Sequence, residues 1–169
     1  MRMQVRKSAM KLGERAMISC ALHPSGGVGQ GQFTKHHYLT AHNTFVLVMT
    51  EVGFVGLFLF SMLIWICLKT PLTALSRYRH RPDARVAEVW SVSLLAAFAA
   101  IFSGSAFLSF AYHYIIWIFM GLSAALYVSI KRHDPEFEVR VGFLDMVGVA
   151  LANVLLFGLI HVFLRLKGF

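Results

Sequence analysis

Charge is what this chain has least of. Only 14% of its 169 residues are Asp, Glu, Lys or Arg, while 57% are hydrophobic, and the mean hydropathy is +0.65. Soluble domains run at about 25% charged and about 45–50% apolar, so too few charges are present to solvate a globular surface. A soluble enzyme, a nucleic-acid binder and a disordered tail are excluded on that ground, despite the net charge of +8. Cysteine is scarce too. Cys20 lies in the polar N-terminal segment and Cys67 at the far end of the first apolar run, so no disulfide between them is expected, and no CxxC or CxxH spacing suggests a metal. The N-terminal segment does not read as a signal peptide, because Arg2, Arg6, Lys7, Lys11, Glu14 and Arg15 interrupt every apolar stretch. Internal repeats and low-complexity tracts are missing as well.

What the chain does have is apolar blocks of bilayer length, about 20 residues each. The first runs from about residue 44 to 68, interrupted only by Glu51. A basic stretch, KTPLTALSRYRHRPDAR, follows and reads as a polar loop. Between Glu88 and Lys131 lie 42 residues whose only potentially charged member is His113. As one helix they would reach about 63 Å, roughly twice the hydrocarbon thickness. They therefore divide into spans near 89–108 and 112–130, joined by a tight turn carrying His113. KRHDPEFEVR reads as a second polar loop, and a fourth span near 142–164 holds Asp145 and His161. The expected fold is all-α and polytopic, with about four transmembrane helices after an outward-facing segment, residues 1–42. Within that segment Lys7, Lys11 and Arg15, spaced i, i+4 and i+8, would form one basic stripe on an amphipathic helix. Pro24 and the glycines at 26, 27, 29 and 31 end it in an irregular loop. The GxGxG there is a weak match to a phosphate loop, since no strand precedes it and no Lys-Ser/Thr follows; a flexible loop is the expectation.

Orientation follows from the short loops. Lys and Arg divide 8 to 8 between the two sides overall, but 3 to 8 among those close to the spans. Positive charge near span ends favours the cytoplasm, so the loops at 69–88 and 131–141 are expected there, and residues 1–42 outside. Six of the eight histidines, His23, His36, His37, His42, His113 and His161, then fall on the outward side or at outward ends of spans. Each suits interfacial anchoring or, with an unperturbed pKa of about 6.5, general-base chemistry. A metal site on His36, His37 and His42 lacks a nearby carboxylate, and adjacent histidines diverge on any regular element. A non-catalytic alternative, a transporter or assembly subunit, would use the outward histidines and Glu51 as an ion or proton path.

One segment is more specific. Residues 42–56, HNTFVLVMTEVGFVG, read His-Asn, nine residues, then Gly-x-x-Gly, with GGVGQGQF a short distance upstream. This pattern resembles the signature of the bacterial O-antigen ligase and O-antigen polymerase superfamily, in which a periplasmic loop ends in His-Asn and leads into a glycine-bearing span. The resemblance covers about residues 15–130. It implies a protein of the bacterial inner membrane that transfers glycan from a polyprenyl-diphosphate carrier to an acceptor hydroxyl of a glycan, lipid or protein. The transfer occurs on the periplasmic face, without metal or other cofactor and without nucleic acid as partner. By that analogy His42 assists deprotonation of the acceptor, Arg15 and Lys35 neutralise the diphosphate, and Asn43 orients His42 or caps the first span. Glu51 is expected to make a structural hydrogen bond to a helix outside this sequence, and Gly53 and Gly56 to permit close helix packing. Because family members carry many spans before this motif, the chain reads as the C-terminal part of a longer catalyst, inactive alone.

Overall fold

The structure, a computed structural model, describes residues 27, 29, 44–105 and 113–166, and for residues 160, 161 and 163–166 the backbone course alone. The expected amphipathic helix, and the residues Arg15, Lys35, His42 and Asn43, lie outside the described residues. Four helices appear among the described ones, and no strand: α1, Thr44–Tyr78; α2, Arg85–Ser105; α3, Tyr114–His133; and α4, Phe143–Leu166. Helices α1, α2 (with the short turn before it) and α3 are long and apolar enough to cross a membrane, and α4 is apolar over Phe143–Leu159. The chain is therefore a multi-pass, all-α membrane protein. Helix α1 is the centre of the bundle, packing against α2, α3 and α4, while α2 and α3 also pack together.

The first helix continues well past the expected end of its span. It runs 35 residues, through Lys69 and Pro71 to Tyr78. A proline interior to a helix removes one hydrogen bond and commonly ends it, which is why the sequence suggests a loop there. Two features outweigh that cost. Ala74 and Tyr78 bury their side chains against Leu94, Leu126, Ile130 and Phe137. The carbonyl of Cys67, which would have accepted from residue 71, accepts instead from the hydroxyl of Ser123 on α3, a side chain with no exposed surface. Replacing Ser123 by Ala is expected to destabilise the bundle by about 0.6 kcal/mol, and at most about 1.7 kcal/mol, the range for interhelical hydrogen bonds in membranes. Reversible unfolding of purified protein in mixed micelles measures it.

The ends of the helices are capped by local chemistry. After Tyr78 the backbone turns through His80 at φ 67° into Arg81, whose extended conformation suits the proline that follows. His113, expected in the turn between two spans, is the N-cap of α3, its Nδ1 accepting from the Ile115 amide at 3.4 Å. Lys131, Arg132 and His133 occupy the last turn of α3, where cations complement the helix dipole.

The segment 134–142 is more ordered than a surface loop. The Tyr78 hydroxyl donates to Asp134 at 2.6 Å and Arg77 pairs with the same carboxylate at 2.8 Å. The Tyr78 hydroxyl, with help from Arg77, holds the Asp134 carboxyl below its usual range. Two residues on from Pro135, Phe137 inserts fully between the ring of Tyr78, 6.1 Å away, and that of Tyr127, 5.8 Å away. Helix α4 begins with a reciprocal cap in which the Gly142 amide donates to Asp145 and the Asp145 amide donates back to the Gly142 carbonyl. Asp145 lies within the fourth helix, as expected, and stands in its first turn. There it receives Lys69 Nζ at 2.6 and 2.7 Å and Trp65 Nε1 at 2.9 Å, which ties α4 to α1. Two turns further, Asn153 accepts from the Ser61 hydroxyl at 3.0 Å, a polar link of the kind that holds transmembrane helices together.

Candidate functional site

The candidate site is built around a break in α1. At Gly53 the backbone takes φ 70° and ψ −173°, so the helix is two segments, 44–52 and 54–78. That conformation is open essentially to glycine alone. The break frees the backbone carbonyl of Glu51, which accepts from the amide of Gly29 at 2.9 Å. Gly27 lies on the same spot. A Cβ on it would sit 2.4 Å from the Glu51 carbonyl carbon and oxygen and 2.6 Å from the Gly53 nitrogen. The glycine-rich stretch thus meets the break backbone to backbone, at a separation no larger side chain permits.

Gly56 completes the geometry. A Cβ there would come within 2.5 Å of the Val52 side chain, so the turn after the break closes because residue 56 has no side chain. Gly53 and Gly56 were expected to permit close packing of one helix on another. Their role here is conformational instead: one makes the break, the other accommodates it. The glycine-rich loop, expected to be flexible, is fixed at Gly27 and Gly29. The sequence pattern links the two glycine clusters only by their order along the chain; their contact, with the Glu51 carbonyl between them, is visible only in the structure.

Glu51 itself is 2% exposed. Around the break, Leu47, Val48 and Leu57 form a small core with Phe60 and Phe157. Helix α1 begins at Thr44, about two and a half turns before the break; Lys35, His42 and Asn43 lie outside the described residues. By the alternation of the four helices, the start of α3 with His113 lies at the same end of the bundle as the start of α1. The Nδ1 of His113 is engaged as an acceptor in capping. Among the described residues no group of three or more His, Cys, Asp or Glu is arranged to hold a metal. No family of known proteins, no curated protein and no solved structure matches the chain.

Proposed function

We propose that the chain forms the His-Asn loop and following spans of a membrane glycan ligase or polymerase, acting at the periplasmic face of a bacterial inner membrane. The observation that carries the reading is the pairing of the glycine-rich stretch with the Gly-x-x-Gly break. Gly27, Gly29, Glu51, Gly53 and Gly56 act as one backbone unit, and the segment it anchors is the one containing His42. Transfer between two bound substrates requires a catalytic side chain carried close to a fixed point of the fold, and the anchored glycines flank the His42 segment in sequence.

In this mechanism the acceptor hydroxyl attacks the anomeric carbon of the carrier-linked glycan. His42 takes the hydroxyl proton, the bond from the anomeric carbon to the diphosphate oxygen breaks, and the polyprenyl diphosphate leaves with its electron pair. Arg15 and Lys35 neutralise the charge developing on that diphosphate, and Asn43 orients His42. The distribution of basic residues near the spans supports the orientation, with the Tyr78 and Asp134 end of the bundle in the cytoplasm. In a strain whose surface polysaccharide depends on this chain, His42→Ala is expected to abolish glycan transfer, about 100-fold or more below wild type for loss of a general base, while the protein still accumulates in the membrane. Unchanged polysaccharide on that strain overturns the assignment.

A further inference from the structure

The opposite end of α3 carries a feature that glycan transfer does not use. Two shallow concavities adjoin there, of about 240 and 410 Å³. They share Val128 and Arg132; Tyr127 and Lys131 complete the first, and Ser129 and His133 contribute to the second. Above them the outer face of α3 is a stripe of small exposed residues, Gly121, Ala124 and Ala125, at the three- and four-residue spacing that lines one helix face. A Cβ on Gly121 would meet nothing within 4 Å. The inward face of the same helix, Ser123, Leu126 and Ile130, is buried. The stripe is therefore a trough facing lipid, about 16 Å from Gly121 to Arg132 at 1.5 Å per residue.

The polar end of the trough has surplus positive charge. Lys131 and Arg132 are exposed, and neither takes part in an ion pair among the described residues. Nearby Glu138 pairs with Arg140 at 2.9 Å and also lies in the field of Lys131, while Asp134 pairs with Arg77. Lys131 Nζ stands 5.7 Å over the Tyr127 ring, which holds the ammonium beside the trough. The dipole at the end of α3 is equivalent to about half a negative charge, too little to balance two cations. An apolar channel that ends in two exposed cations, neither in an ion pair among the described residues, matches an acyl chain attached to an anionic phosphate.

We propose that the end of α3 is a binding site for an anionic phospholipid, with the headgroup phosphodiester between Lys131 and Arg132 and an acyl chain along Val128, Ala125, Ala124 and Gly121. The site is independent of the glycan-transfer reading. A free phosphate is a poorer occupant, since it would leave the trough to other lipids and gain nothing from it. Basic residues at membrane surfaces contribute about five-fold each in affinity for anionic lipid.

The test uses the purified full chain in non-ionic micelles, titrated with phosphatidylglycerol or phosphatidylcholine, with retained lipid read by native mass spectrometry. Wild type is expected to retain one phosphatidylglycerol in preference to phosphatidylcholine. Lys131→Gln with Arg132→Gln should weaken that retention about 25-fold. Arg79→Gln with Arg81→Gln, which removes the same charge from the exposed α1–α2 turn, should leave it nearly unchanged. Ala124→Leu with Ala125→Leu fills the trough without altering charge and should also weaken retention, with helicity checked by circular dichroism. Equal retention of the two lipids, equal effects of the two charge-removing pairs, or full displacement by millimolar inorganic phosphate would each overturn the proposal.

Discussion

Gly53→Ala is expected to release the glycine-rich loop from α1. Its backbone at φ 70° and ψ −173° lies where a side chain costs about 1–3 kcal/mol. Alanine can avoid that strain only by letting α1 run on as a continuous helix, which removes the freed Glu51 carbonyl that the Gly29 amide uses. Either route separates the loop from the helix. Gly27→Ala should have the same consequence from the other side, because its Cβ would overlap the Glu51 carbonyl at 2.4 Å, where backbone cannot move aside as a side chain would. Gly121→Ala and Gly148→Ala supply the contrast: both sit in helices with no neighbour to strike. They should be neutral or raise stability by up to about 1 kcal/mol through helix propensity. Limited proteolysis of the N-terminal segment in detergent, with thermal unfolding alongside, measures both sets. Equal protection in Gly53→Ala and wild type would show that the break does not hold the loop.

Phe137→Ala is expected to be the most destabilising change at the other end of the bundle. The ring has no exposed surface and fills the space bounded by Ala74, Tyr78, Leu94, Leu126 and Ile130. Truncating a buried phenylalanine costs about 3–5 kcal/mol when the cavity cannot collapse. Collapse is limited here, because the segment bearing Phe137 is tied down by the Asp134 pairs with Tyr78 and Arg77. Acid should loosen the same region in the wild-type protein. The Asp134 carboxyl is held below its ordinary value, first by the Tyr78 hydroxyl and then by Arg77. Its contribution to stability is therefore complete above the unfolded value of about 3.9 and is lost as pH falls through the lower folded value. Thermal unfolding of the purified protein at neutral pH should show the Phe137→Ala loss, and scans at successively lower pH should show the wild-type midpoint falling only below about pH 4. A midpoint for Phe137→Ala within a degree of wild type would mean that the ring does not hold the segment.

Much of the architecture was legible in the sequence for one physical reason. A bilayer imposes the same requirement on every residue of a span, so apolar runs interrupted by basic loops predict helices whatever they pack against. The starts of α1, α3 and α4 fall within two residues of expectation for that reason. Ends were less legible. Lys69, Pro71 and Arg77 read as loop residues because propensity and charge were all the sequence offered. The helix continues through them because Ser123 takes up the carbonyl freed by Pro71 and Phe137 covers Tyr78. Those partners lie 56 and 59 residues away from the positions they stabilise, counting from Cys67 and Tyr78, and no local pattern connects them.

The candidate site divides in the same way. The His-Asn pair at 42–43, separated from Gly53 by nine residues, is a pattern the sequence displays directly, because spacing along one segment is itself the signal. That Gly53 is a break, and that Gly27 and Gly29 rest on it, follows only from the path of the backbone.

By itself, the sequence determined that the chain crosses a membrane several times as helices and, to within a few residues, where those helices begin. Burial in lipid acts on each segment separately, so composition was enough. The tertiary structure decided where α1 breaks, how far it continues, what closes the base of the bundle and which groups Asp145 receives. Each of these depends on satisfying one backbone or side-chain polar group with a partner from another helix, and in an apolar medium that pairing is settled only when the helices meet.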